Sequence, residues 1–116
     1  MSLRQERINK VLLHEISEIL LRMRDPRLGF LTLTNAKVSA DLQVAQIGVS
    51  VFAEPEGRQR ALAVLQAASG YVRSQLGKGA HLKTVPALEF YLDESALHSV
   101  KVQQILKDIT DEQPGD

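Results

Sequence analysis

Residues 57–88 contain Arg58, Arg60, Arg73, Lys78 and Lys83 and not one Asp or Glu. Within this acid-free stretch, Ala67-Ala68-Ser69-Gly70-Tyr71-Val72-Arg73 has helical character yet carries a Gly, which costs about 1 kcal/mol relative to Ala in a helix interior. The chemistry this grouping offers is phosphate binding. Lys and Arg release condensed counterions when they meet phosphates. Backbone N–H groups at a helix start can point at an anion, and Gly lets a strand of nucleic acid come close. Ser69, Gly70, Arg73, Lys78, His81 and Lys83 are therefore candidate RNA-binding residues. Arg4, Arg7, Lys10 and Arg27, from the basic first segment, complete the set. The competing reading is a surface helix with a tolerated Gly.

Catalysis has little support. The chain lacks Cys, so thiol chemistry, disulfides and thiolate metal sites are excluded. His14, His81 and His98 fall in different predicted elements, and none has a metal-ligand spacing. Gly77-Lys78-Gly79 is a fragment of a nucleotide loop without the full spacing or a preceding strand. Asp93 and Glu94 are adjacent, which suits a helix start better than acid–base work. The expectation is a non-enzyme that needs no cofactor and no metal.

The formal net charge is zero over 116 residues, but it is unevenly spread. Residues 1–27 carry +2, 28–56 carry −2, 57–88 carry +5 and 89–116 carry −5. A neutral protein can thus still present a positive face. The N-terminus has no apolar signal region, and no apolar run approaches the ~20 residues of a membrane span. A cytoplasmic protein is expected.

Periodicity places these groups on elements. Ile8, Leu12, Ile16, Ile19, Leu20 and Met23 form one stripe of a helix over 3–24, with Ser2 as its cap. Arg7, Lys10 and His14 lie on its other side. Pro26 ends the helix by Asp25, and 25–29 is a loop. Residues 30–39 and 44–52 read as strands of an antiparallel hairpin, with Ala45, Ile47, Val49 and Val51 on the buried face. Ala61, Leu62, Leu65, Ala68, Val72 and Leu76 continue in helical register across Gly70, so the pattern allows one helix or a pair broken at Ser69-Gly70. A basic loop over 77–86, a short strand over 88–92 and a last helix with Val102, Ile105, Leu106 and Ile109 follow. The architecture expected is a single α+β domain over 1–110, with three strands covered by helices, and a frayed acidic tail over 111–116. Phe30, Phe52 and Phe90 look like core, which leaves few aromatics for base stacking and favours recognition through backbone and shape.

Asp25-Pro26-Arg27-Leu28-Gly29, Leu31-Thr32-Leu33-Thr34, Val38-Ser39-Ala40-Asp41-Leu42 and Ala45-Gln46-Ile47-Gly48-Val49-Ser50-Val51 together resemble the ribosome-binding factor A family. Arg4-x-x-Arg7-Ile8, Ile16-Ser17-x-Ile19-Leu20, Val85-Pro86-x-Leu88-x-Phe90 and Asp93-x-Ser95 fit as well, so the likeness spans about residues 3–108. The resemblance implies a type II KH-like fold in which a helix-kink-helix at Ala68-Ser69-Gly70, bent at Ser69, replaces the usual Gly-x-x-Gly clamp. It implies a non-catalytic, monomeric assembly factor of the bacterial cytoplasm. Such a factor binds the free small (30S) ribosomal subunit and its 16S rRNA and supports late maturation and 5′-end processing of that RNA. It also implies a link to growth in the cold, and ribosomal proteins and other assembly factors as further partners. Some members carry a longer basic or disordered tail, and the acidic segment after the last predicted helix of this chain departs from that pattern. Gly70→Ala is expected to straighten or strain the helix pair. The alternative is a KH-like scaffold whose main partner is a protein, suggested by the zero net charge and the scarcity of stacking aromatics.

Overall fold

The computed structural model describes residues 1–79 and 82–95. His81, the predicted last helix and the predicted tail lie outside the described residues. The elements run α1 (Leu3–Met23), a 3-10 turn (Pro26–Leu28), β1 (Leu31–Val38), β2 (Val44–Val51), α2 (Pro55–Ala67), α3 (Ser69–Gly79) and β3 (Ala87–Leu92). The sheet order is β1-β2-β3, antiparallel then parallel. The parallel pair needs a crossover, and α2 and α3 supply it. No helix among the described residues is long and apolar enough to cross a membrane.

Helix α1 begins on a capping box. The Ser2 hydroxyl accepts from the Gln5 N–H, and the Gln5 side chain accepts from the Ser2 N–H. It ends at Arg24, which takes the left-handed conformation, before the 3-10 turn that Pro26 opens. Leu12, Ile16, Ile19 and Leu20 face the sheet, where Ala45, Ile47, Val49, Leu88 and Phe90 meet them together with Leu65, Val72 and Leu76. The helices therefore occupy one side of the sheet, and the two-layer α+β reading holds. The predicted basic loop is shorter than the sequence suggested, because α3 runs on through Gly77-Lys78-Gly79.

The opposite sheet face mixes polar Thr32, Gln46 and Ser50 with aromatic side chains. Gly48 sits at its centre, paired with Asn35 on β1 and Tyr91 on β3. A Cβ there would lie 2.7 Å from Thr34 Oγ1 and 2.9 Å from the Tyr91 hydroxyl. The Tyr91 ring thus lies over the glycine, which is why Gly48 is buried on an otherwise open face. Thr34, the extra residue of a bulge in β1, donates its hydroxyl to Asp93 at 2.7 Å.

A three-stranded sheet has two edges whose backbone groups need partners. On β1, Asn9 Oδ1 accepts from the Val38 N–H at 2.8 Å and Gln5 Nε2 donates to the Val38 carbonyl at 3.2 Å. On β3, Gln66 Nε2 donates to the Leu88 carbonyl at 3.2 Å and its Oε1 accepts from the Phe90 N–H at 3.1 Å. Helical amide side chains thus clip both edges. Asn9 is the buried polar residue of α1, and removing it strands a buried N–H. Asn9→Leu should lower unfolding stability by about 1–3 kcal/mol, read from urea denaturation. Gly48→Ala should also destabilise, because β2 or Tyr91 must move. A midpoint equal to that of the native chain in either variant would contradict these assignments.

Candidate nucleic-acid interface

The helix-kink-helix is real, and its break falls at Ala68, one residue before the position expected. Ala68 has φ −87° and ψ 0° and stands between α2 and α3. Its N–H is shared between the carbonyls of Val64 (3.0 Å) and Leu65 (3.1 Å), and its own carbonyl accepts from Val72 at 3.0 Å. The apolar stripe survives the break, since Leu65, Val72 and Leu76 are all buried. That continuity is why periodicity could not separate one helix from two.

Two side chains hold the kink against the sheet. Gln66 grips β3 just before it, as described above. Arg73 grips the chain just after it: Nε donates to the Pro86 carbonyl at 3.0 Å and Nη2 to the Val85 carbonyl at 3.1 Å. Between these anchors Gly70 and Tyr71 face outward, with Tyr71 53% exposed. The first N–H groups of α3 have no partner within their own helix. A Cβ built on Gly70 would meet nothing within 4 Å. The strain expected of Gly70→Ala is therefore absent, and the fold itself does not require glycine there.

The candidate cations do not form one patch. Arg73 and Lys83 lie by the segment entering β3, and Lys78 is exposed in the last turn of α3. Arg73 spends part of its guanidinium on backbone carbonyls, so its first role is structural. Arg4, Arg7 and Lys10 are exposed on the N-terminal half of α1. Arg27 stands beyond the other end of that helix, about 30 Å away at 1.5 Å per residue. Arg27 is also paired: its Nη2 lies 2.6 Å from Asp25 Oδ2, its Nε reaches both carboxylate oxygens, and its backbone N–H bonds Oδ1. Ser69 is half-buried at the start of α3. Among the described residues no cluster of three or more His, Asp or Glu could hold a metal.

The aromatics need a correction. Only Phe90 of the three phenylalanines is core, whereas Phe30 is 82% and Phe52 56% exposed. Strand parity explains it. Leu31, Leu33, Val49 and Val51 turn toward the helices, so Phe30 and Phe52 fall in register with outward Thr32 and Ser50. With Tyr71 and Tyr91, the surface offers more rings than the sequence reading allowed.

The charge pairs set the acid response. Hydrogen bonds from Arg27 hold the Asp25 carboxyl down at about 2. Bonds from Ser95 and Thr34 lower Asp93, and the Ser39 hydroxyl and Gln43 N–H lower Asp41. Each folded pKa is below its unfolded value of about 3.9. The associated stability is complete above about pH 4 and is lost as pH falls toward 2. Arg27→Gln should move the Asp25 midpoint up toward the ordinary carboxylate range in an NMR titration. An unmoved midpoint would mean another group holds it down. Gly70→Ala should raise stability by about 0.5–1 kcal/mol, because its Cβ enters open space, while weakening subunit binding if RNA backbone seats at the kink. Unchanged binding would show that nothing approaches that glycine.

The matches to known proteins cover the same elements. The family model described as ribosome-binding factor A matches residues 4–106. A ribosome-binding factor A of Brevibacillus brevis is 41% identical over 110 residues, 94% of this chain and 91% of the relative. The crystal structure of ribosome-binding factor A from Thermus thermophilus is 28% identical and superposes with a TM-score of 0.68 over 76% of this chain and 94% of that one. A homology model of Thermus thermophilus ribosome-binding factor A, fitted into a cryo-EM map of its 30S complex, is 29% identical, with a TM-score of 0.62 over 73% of this chain and 90% of that one. The α-β-β-α-α-β order with its mixed three-stranded sheet is the type II KH-like fold, and the chain belongs to the ribosome-binding factor A family.

Proposed function

We propose that this chain is a non-catalytic assembly factor of the cytoplasm. It binds the free small ribosomal subunit, contacts 16S rRNA and supports late maturation and 5′-end processing. Residues 1–110 act as one KH-like RNA-binding domain. The observation that carries the reading is the outward kink: Gly70 and Tyr71 exposed between two anchors, with Lys78 and Lys83 on the flanking elements. Family membership and the relative fitted into a 30S complex support the same partner. A Gly-x-x-Gly clamp, which grips four backbone nucleotides in ordinary KH domains, is replaced by Ala68-Ser69-Gly70. That favours contact with a folded RNA surface over threading of a long single strand.

A reading in which a protein is the main partner draws on the ion pair of Arg27 with Asp25, which offsets one cation, and on the two backbone carbonyls that engage the Arg73 guanidinium. Gradient co-sedimentation separates the two. The chain should travel with free 30S subunits, weakly with 70S particles, and should dissociate as salt rises. Lys78→Glu with Lys83→Glu, which leaves the structural Arg73 in place, should reduce the dependence of log K on log salt by about two. Equal pelleting with 70S particles would overturn the assembly-factor reading. Binding that survives this double variant unchanged at physiological salt would assign the contact to protein.

A further inference from the structure

The backbone edge of β3 beside the kink is already occupied, and the side chains that occupy it come from the two helices that make the kink. At the two ends of β3 the Ala87 N–H bonds the Gln43 carbonyl and the Asp93 N–H bonds the Val49 carbonyl, both toward β2. Alternation along a parallel strand then turns the groups of Leu88 and Phe90 to the free edge. There the Gln66 amide donates to the Leu88 carbonyl at 3.2 Å and accepts from the Phe90 N–H at 3.1 Å. One residue of an added parallel strand would make the same two bonds, so the Gln66 side chain fills the place of one residue of a fourth strand. Arg73 acts likewise just upstream, on the Val85 and Pro86 carbonyls at 3.1 and 3.0 Å. Backbone groups from Val85 to Phe90 are thus engaged from both sides of the break at Ala68.

A nucleobase edge offers what a primary amide offers, a donor beside an acceptor, and unstacked bases are read on such edges. Gln66 lies about 6 Å of helix rise before Gly70, at 1.5 Å per residue. A base of an RNA seated on the kink would therefore meet the Leu88–Phe90 pair, but Gln66 already holds it. Gln66 is itself an exposed residue, so this edge is closed by bonding and not by burial. To enter, a base must break both amide bonds and replace them with two of the same kind, an exchange with little net gain. The base still loses freedom on being ordered. The amide, tethered to α2, competes as an intramolecular group.

We infer that Gln66 is a specificity-determining residue: it closes the β3 edge to nucleobases, so that RNA at the kink is held through its phosphates and shape, without reading of base sequence. The inference rests on the RNA-binding reading above. Arg73 supports the closure by fixing the segment that enters β3, and it contributes no base contact of its own. The exclusion is a property of one side chain, because no other side chain bonds the Leu88 carbonyl or the Phe90 N–H among the described residues.

Fluorescent RNA octamers of adenine, cytosine or uracil alone carry equal phosphate, and each is titrated against the full chain by anisotropy at one salt concentration. The native chain should show no preference beyond twofold among them. Gln66→Ala frees the Leu88 carbonyl and the Phe90 N–H and should bind at least one octamer about tenfold more tightly than the others. Its dependence of log K on log salt should equal that of the native chain, because no phosphate contact is added. Loss of a merely structural clip would not create a base preference. Thermal unfolding shows whether the variant is folded. If it is not, NMR of the native chain decides: the Gln66 side-chain amide and the Phe90 N–H should keep their resonances with every octamer. Resonances that move with one base and not with the others would show Gln66 displaced and would overturn the exclusion. So would a native preference above twofold, or a folded Gln66→Ala chain that stays indifferent to base or binds none of the octamers. Co-sedimentation of the native chain with free small subunits is read separately, and its absence would remove the RNA-binding reading itself.

Discussion

The constraint on which this fold depends is the unpaired backbone at the two edges of a small sheet. Three strands leave two rows of donors and acceptors, and a domain of this size cannot hide them behind further strands. The solution is side-chain clips from the helical layer. Asn9 and Gln5 reach Val38 on one edge, and Gln66 and Arg73 reach the Leu88–Phe90 edge and the segment entering it. Each clip satisfies backbone groups and also fixes how a helix sits on the sheet. The apolar contacts beneath them supply the driving force, but they are not directional. The clips add the register.

This arrangement creates the outward kink. Gln66 and Arg73 bracket residues 67–72, so the break at Ala68 cannot swing away from β3. Buried Leu65, Val72 and Leu76 keep the inner face continuous while the chain turns on its outer face. Gly70 and Tyr71 are left in solvent at the beginning of a helix, where N–H groups have no intrahelical partners. The glycine faces open space and has no conformational need to be glycine. Gly48 is the opposite case: its missing Cβ is filled from within by Tyr91 and Thr34. Two glycines in one small domain thus differ: the fold requires Gly48 and does not require Gly70.

Cations and rings are distributed over the length of the molecule rather than gathered at one site. Lys78 lies in the last turn of α3, and Lys83 lies in the segment entering β3 beside Arg73. Arg24 and Arg27 stand beyond the end of α1, with Arg27 paired to Asp25, while Phe30 and Phe52 are exposed at one end of the hairpin. A neutral protein whose cations are dispersed and partly paired has little of the long-range field that drives indiscriminate binding to nucleic acid.

The sequence by itself determined the parts that repeat. The stripe of Leu12, Ile16, Ile19 and Leu20, the alternation of Ala45, Ile47, Val49 and Val51, and the capping Ser2 are legible because they obey a local period. The sequence reading placed Phe30 and Phe52 in the core, and the structure exposes them. Parity puts them with Thr32 and Ser50, although hydrophobicity alone suggested core. The kink was legible only through family resemblance, since the apolar stripe runs through it. Tertiary structure alone decided the rest. Gln66 and Phe90 are 24 residues apart, Asn9 and Val38 are 29 apart, and nothing in a polar helical residue announces a distant backbone partner. The same holds for Arg73, a basic residue in a basic stretch whose guanidinium turns inward to two carbonyls. Such partners exist only once the edges they satisfy have been brought beside them, which is a property of the packed chain and not of any window along it.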